Sequence, residues 1–116
     1  MNQKYYLDAI LPAATQDQSE RLAFFALINL GFIESLTNGL LSASEAVKDF
    51  YFADNCLFVR KALKEKIADR VMSHATQLPD LFDILPIESA QRDFLRELAT
   101  MRALCLQLPE GRRKVA

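Results

Sequence analysis

Residues 17–39, DQSERLAFFALINLGFIESLTNG, decide the fold class of this chain. Asp17, followed three residues later by Glu20, has the spacing of a helix N-cap with a supporting acid, and Asn38-Gly39 supplies a left-handed stop. The stretch between them is apolar on nearly every side of a helix, and such a helix needs neighbours over most of its surface. We therefore expect either the central helix of the fold or a helix with one face covered by a second chain.

Two further helices are predicted over residues 42–76. A Ser-Ala-Ser-Glu capping box at 42–45 opens a second helix that continues to about position 53. Asp54-Asn55 has the residue types of another cap, which predicts a third helix over about 56–75. Because no Gly or Pro interrupts this stretch, a single long helix over 42–76 is the alternative.

The C-terminal third is predicted to hold a short connector helix and one long helix. LPDLFDILP at 78–86 is bracketed by two Leu-Pro pairs, and the residue before a proline disfavours the α-helical region. The last helix is expected to begin near Pro86 or Ile87 and to run to about Leu108. Its predicted apolar seam consists of Phe94, Leu98, Met101, Cys105 and Leu108.

Length and composition favour one helical domain over residues 1–116. A chain of 116 residues has the usual size of a single domain, and 3 Gly and 4 Pro leave few turns for a sandwich or barrel. We predict an all-α fold, an irregular or antiparallel bundle of four main helices plus the connector helix. Residues 1–16 are expected to form an N-terminal arm that ends its short apolar run at Pro12, and residues 109–116 a loose tail.

Charge and hydropathy argue against two classes of partner. The chain has 14 Lys and Arg against 15 Asp and Glu, so it lacks the strong positive field that favours nucleic acid. The longest apolar stretch, residues 22–33, is shorter than the roughly 20 residues that cross a bilayer, and we expect no membrane segment. The N-terminus resembles neither a secretory nor a transit peptide, which predicts a cytoplasmic protein.

Catalytic and metal-binding signatures are not found in the sequence. It has one His and no phosphate-binding loop, nucleophile elbow or paired metal-ligand pattern. Cys56, His74 and Cys105 stand singly, whereas zinc ligands cluster in pairs, so both cysteines are expected as free, buried thiols. We therefore expect no catalytic residues, no cofactor, no metal site and no enzymatic activity.

Two arginines interrupt the predicted apolar sides of their helices. Arg60 falls in the apolar stripe of the third helix and Arg102 in that of the last. A buried guanidinium requires a carboxylate or several carbonyl oxygens, and Asp80 and Asp83 are acids in the neighbouring connector. These residues are predicted either to form ion pairs that fix the connector to the bundle or to line a pocket for an anion or small molecule.

The leading functional expectation is a non-enzymatic module that binds proteins and forms a homo-oligomer. Asn29 is a lone polar residue within the apolar first helix, and such a residue can specify the register of an assembly. We expect Tyr5, Tyr6, Phe24 and Asn29 at the interface, with the three aromatic side chains buried between chains. A further protein partner is also compatible with these exposed apolar side chains.

A nucleic-acid-binding regulator is the alternative to the protein-binding module. The predicted helix over 56–75 has a local charge of +3 and follows a shorter helix, a faint likeness to a helix-turn-helix. Local charge of this kind is usually a solvated surface, so a nucleic-acid partner is the less favoured prediction.

Overall fold

The structure, a computed structural model, describes residues 3–108, and these residues form seven α-helices and one π-helical turn without a β-strand. The predicted all-α class is confirmed. The chain is divided into more pieces than the predicted four main helices and a connector. In order they are α1 (Leu7–Ala14), α2 (Gln18–Thr37), α3 (Ala43–Asp49), α4 (Ala53–Phe58), the π-helical turn (Val59–Leu63), α5 (Lys66–Thr76), α6 (Leu78–Ile84) and α7 (Ile87–Gln107).

The two long helices, α2 and α7, pack against each other, and the shorter helices surround them. Helices α5 and α6 pack on α7, α1 packs on α2 and α4, and α3 packs on α2 and α6. The Asp17 cap is confirmed, since its carboxylate accepts a hydrogen bond from the Glu20 backbone N–H at 3.0 Å. The predicted stop is also confirmed, because Gly39 has a φ of +75° after the end of α2.

The structure of the N-terminal segment differs from the predicted arm. Residues predicted to form an arm that breaks at Pro12 contain helix α1, and Pro12 lies inside it. A proline at that place removes one backbone hydrogen bond, and so short a helix is unstable alone. Burial of Leu7 and Leu11, both fully inaccessible to solvent, supplies the stabilisation that local sequence lacks.

The stretch over 42–76 is neither one helix nor two. The capping box is confirmed: Ser42 Oγ accepts from the Glu45 N–H at 3.1 Å, and Glu45 Oε1 accepts from the Ser42 N–H at 3.0 Å. Helix α4 begins at Ala53 with Phe52 as its N-cap, so the predicted Asp54-Asn55 cap is wrong. A second break follows at Lys64, whose left-handed backbone separates the π-helical turn from α5.

The C-terminal third agrees with prediction. Helix α6 spans Leu78–Ile84 and α7 spans Ile87–Gln107, and the predicted seam of α7 is buried apart from the half-buried Phe94. The predicted loose tail at 109–116 lies outside the described residues. Within the described part, no helix combines the length and apolar character required to cross a membrane.

Candidate functional site

An open apolar groove of about 500 Å³ lies beside α2, and we call it the α2 groove. Its walls come from three separate parts of the chain: the N-terminal segment, α2, and the region around α3. The lining residues are Tyr5, Ile10, Ile28, Gly31, Phe32, Ser35, Leu41 and Asp49. Because the lining is mostly aliphatic and aromatic, with a serine and one carboxylate as its polar side chains, the groove suits an apolar partner side chain.

A stacked aromatic cluster supports the aromatic wall of the groove, which Tyr5 and Phe32 form. The rings of Phe32 and Phe50 are stacked with centroids 4.5 Å apart, and Tyr51 meets Phe32 edge-on at 5.8 Å. Tyr5 adds a fourth ring, 6.0 Å from Phe32 and nearly perpendicular to it. Edge-to-face and stacked contacts of this kind fix ring orientation, so the groove is preformed in the single chain.

Asn55 attaches the N-terminal segment to the rest of the fold. Its side chain is buried, its Oδ1 accepts from the Leu7 N–H at 2.9 Å, and its Nδ2 donates to the carbonyls of Tyr5 and Phe50, each at 2.7 Å. The Tyr5 N–H also donates to the Asp49 carbonyl at 2.8 Å. The edge of the groove formed by Tyr5 therefore depends on a residue that sequence analysis assigned to a helix cap.

The exposed face of α2 extends the groove along the helix. Phe24, Ile28 and Gly31 lie at helical spacing on one stripe, and Leu27 lies beside them. Phe24 is 40% exposed and Leu27 is 64% exposed. A Cβ placed on Gly31 would meet no atom within 4 Å, so the surface is open at this point. Together these residues form an apolar surface that residues 3–108 leave partly exposed.

Of the four predicted interface residues, three are accessible and one is not. Tyr5, Tyr6 and Phe24 are each about two-fifths exposed. Asn29 is fully buried: its Nδ2 donates to the Phe25 carbonyl at 2.9 Å, and its Oδ1 accepts from the Tyr51 hydroxyl at 2.8 Å. The Asn29 amide is therefore satisfied inside its own chain, which argues against the predicted interface role.

The structure also corrects the placement of Arg60 and Arg102. Both are exposed. For Arg60, the π-helical turn and the break at 64–65 end the helical phase that was assumed to continue from residue 56 to residue 71. Arg102 lies on the unbroken helix α7, outside its buried seam. Arg60 Nε lies 3.5 Å from Asp69 Oδ1, so its partner is an acid on α5. No ion pair joins Asp80 or Asp83 to either arginine within residues 3–108. Arg60 lines a concavity at the junction of α4 and α5 to which Arg102 does not contribute.

Asp80, one of the two predicted connector acids, borders a second concave surface. About 510 Å³ of open space lies between α6 and α7, and its lining includes Asp80, Leu81, Asp93, Arg96 and Glu97. Glu97 Oε1 lies 3.0 Å from His74 Nδ1, and Arg96 Nη1 is 3.7 Å from Asp93 Oδ1, whereas Asp80 forms no ion pair within residues 3–108. Asp83 is exposed nearby, beside Phe82, whose ring meets Phe94 edge-on at 5.3 Å.

Metal ligands are not brought together in the part of the chain that the structure describes. No group of three or more His, Cys, Asp or Glu side chains there could hold an ion. Cys56 is half-buried and Cys105 is fully buried, and both are free thiols. Burial raises the pKa of Cys105 to about 12, and burial also raises the pKa of Cys56 although Arg60 acts in the opposite direction.

The buried hydroxyl of Tyr51 and the buried thiol of Cys105 predict that the protein loses stability in alkaline solution. Burial raises the pKa of Tyr51 as well as that of Cys105, so the folded state holds protons that the unfolded chain releases from about pH 9 upward. The resulting stabilisation is complete below that pH and is lost as the pH rises towards the folded-state pKa. We expect the free energy of unfolding to fall by up to about 1.4 kcal/mol per pH unit for each group.

Urea unfolding between pH 7 and pH 11 measures this effect. Cys105→Ala is the matched variant, because it removes one of the titrating groups and should flatten the alkaline slope. A free energy of unfolding that stays constant to pH 11 would contradict the prediction.

Comparison of the chain with protein-family models, curated proteins and solved structures finds no match. The function is therefore argued from the groove and from the exposed face of α2.

Proposed function

We propose that this chain is a non-enzymatic helical interaction module that forms a homodimer through α2 and the α2 groove. The observation that supports the proposal is the exposed pair Phe24 and Leu27, which continues the apolar lining of the groove. Exposed apolar surface that joins a preformed groove is typical of protein interfaces, and aromatic residues are enriched in their centres.

The proposed dimer places the same surface of both copies in contact. A two-fold axis makes an interface self-complementary, so Phe24 of one copy can enter the α2 groove of its partner while the reverse contact forms. Gly31 has no side chain, and the open space above it allows the second helix to approach closely. Tyr5 and Tyr6 lie on the N-terminal segment that borders the groove, where a partner would reduce their exposure.

Light scattering on the purified protein tests the proposed dimer. The chain has a mass of 13.2 kDa, and we expect twice that mass at micromolar concentration. Leu27→Asp should raise the dimer dissociation constant at least about 30-fold, since burying an unpaired carboxylate costs about 2 kcal/mol or more. Circular dichroism should show that the variant keeps its helical content, because Leu27 is exposed in the single chain.

Leu95→Asp is the matched control for this experiment. Leu95 is also an exposed leucine on a long helix, but it lies on α7 outside the α2 groove. We expect it to leave the dimer unchanged. A monomeric wild-type protein at 100 µM, or equal effects of the two substitutions, would exclude the proposed interface.

The nucleic-acid alternative receives less support from the geometry. The predicted basic helix over 56–75 is divided by the π-helical turn and by Lys64, so its cations do not lie along one continuous helix. The alternative site built from Arg60 and Arg102 lacks the burial on which it was based, since both side chains are exposed.

A further inference from the structure

Positive charge is concentrated in one short segment around the junction of α4 and α5. Five of the eleven Lys and Arg residues between positions 3 and 108 fall within residues 60–70, together with two acids. The rest of the described chain has six basic and twelve acidic residues, so this segment is positive on an otherwise negative surface. All five cations are exposed, and they are Arg60, Lys61, Lys64, Lys66 and Arg70.

Two uncommon backbone features coincide with this segment. The π-helical turn Val59–Leu63 leads directly into Lys64, which has φ 52° and ψ 38°. Within residues 3–108, Lys64 is the one residue other than glycine with a positive φ. Both features are energetically unfavourable for an ordinary residue, and both occur often at functional sites. A glycine would adopt this conformation without strain, whereas a lysine adopts it at an energetic cost.

The side chains of this junction line a concavity of about 290 Å³. Its lining consists of Arg60, Lys64, Glu65, Lys66 and Asp69. Two carboxylates share the lining: Glu65 accepts from the Ile67 N–H at 3.0 Å, and the buried Asp69 Oδ1 lies 3.5 Å from Arg60 Nε without a hydrogen bond. The ammonium groups of Lys64 and Lys66 form no ion pair with any residue from 3 to 108.

We propose that this concavity binds a phosphate-bearing small ligand through Arg60, Lys64 and Lys66. A guanidinium matches two phosphate oxygens in a planar, bidentate arrangement, and the two exposed lysines add point charges. The three cations outnumber the two carboxylates of the lining, which gives the concavity a net charge of +1 and favours a phosphate anion over a metal ion or a neutral ligand. The site is separate from the α2 groove, and the proposal does not depend on dimer formation.

Isothermal titration of the full chain with pyrophosphate, at constant ionic strength, tests the site. Lys64→Gly is the decisive variant because it removes the ammonium group and relieves the left-handed backbone at the same time. We expect it to lower pyrophosphate affinity at least about tenfold and to raise Tm by about 3–6 °C. A residue kept only for the turn would not show a gain in stability together with a loss of binding.

Two further variants separate the site from general charge effects. Lys66 lines the concavity, so Lys66→Gln should weaken pyrophosphate binding as Lys64→Gly does. Lys61→Gln removes an exposed neighbouring charge that does not line it and should leave affinity within about twofold. Equal losses from all three substitutions, or pyrophosphate binding no tighter than chloride, would overturn the proposal.

Two other ligands identify the source of the phosphate. A nucleoside diphosphate that binds as tightly as pyrophosphate, or more tightly, supports a small phosphate ligand and shows whether the nucleoside contributes. Steeply salt-dependent binding of a twelve-nucleotide single strand, with no binding of pyrophosphate, would replace the proposal with a nucleic-acid surface.

Discussion

Replacing Asn55 with alanine is expected to destabilise the protein by about 3–5 kcal/mol. The amide of Asn55 serves three backbone groups, the Leu7 N–H and the carbonyls of Tyr5 and Phe50, at 2.7–2.9 Å. A buried backbone group left without a partner costs about 1–3 kcal/mol, and part of that cost is avoided if the N-terminal segment detaches into water. Urea unfolding followed by circular dichroism measures the change.

Asn38→Ala is the matched control for Asn55. Asn38 also uses its amide, donating to the Glu34 carbonyl at 2.8 Å, but it is exposed and water replaces the lost contact. We expect a change below about 0.5 kcal/mol there. Asn55→Asp should destabilise the protein as much as Asn55→Ala. The carboxylate keeps the acceptor for the Leu7 N–H, but it cannot donate to the two carbonyls and instead places a buried negative charge beside them. A loss below 1 kcal/mol in Asn55→Ala would show that the N-terminal segment contributes little to folding.

Leu11→Ala is expected to destabilise the protein by about 2–5 kcal/mol, which is the second large effect. Leu11 is fully buried between α1 and the body of the fold, and truncation removes apolar contacts and leaves a cavity. Leu40→Ala provides the control, since Leu40 is 78% exposed and should change stability by less than about 0.5 kcal/mol. The same urea unfolding experiment separates the two outcomes. Equal, small effects of both substitutions would mean that residues 7–14 behave as part of the N-terminal arm predicted from sequence.

Both variants also bear on the proposed interface. Tyr5 and Ile10 line the α2 groove and are positioned by the hydrogen bonds of Asn55 and by the burial of Leu7 and Leu11. Loosening this segment should therefore weaken dimer formation even where circular dichroism shows the rest of the chain folded. Leu27→Asp should also weaken the dimer, but it should leave the stability of the monomer unchanged.

Some predicted site residues lie where the sequence indicated and others do not, and the difference has a physical cause. Tyr5, Tyr6 and Phe24 are accessible, as their sequence context suggested, but the groove beside them could not be predicted because its walls come from segments far apart in the chain. Arg60 was misplaced because a continuous helical phase was assumed from residue 56 to residue 71, and Arg102 because the apolar side of α7 was taken to be wider than its buried seam. Nothing in the sequence signals the left-handed Lys64, since neither Gly nor Asn occupies that position.

Local sequence patterns are sufficient to predict the helical class, the capping of α2 and α3, and the extents of α2, α6 and α7. These features depend on side chains within about four positions of each other, such as Asp17 with Glu20 and Ser42 with Glu45, so a linear pattern records them. Tertiary structure alone decided that residues 7–14 form a helix and that Asn55 and Asn29 are buried anchors. Their partners lie up to 50 positions away, where no local pattern can specify them, and only the packed chain can supply the burial that outweighs weak local propensity.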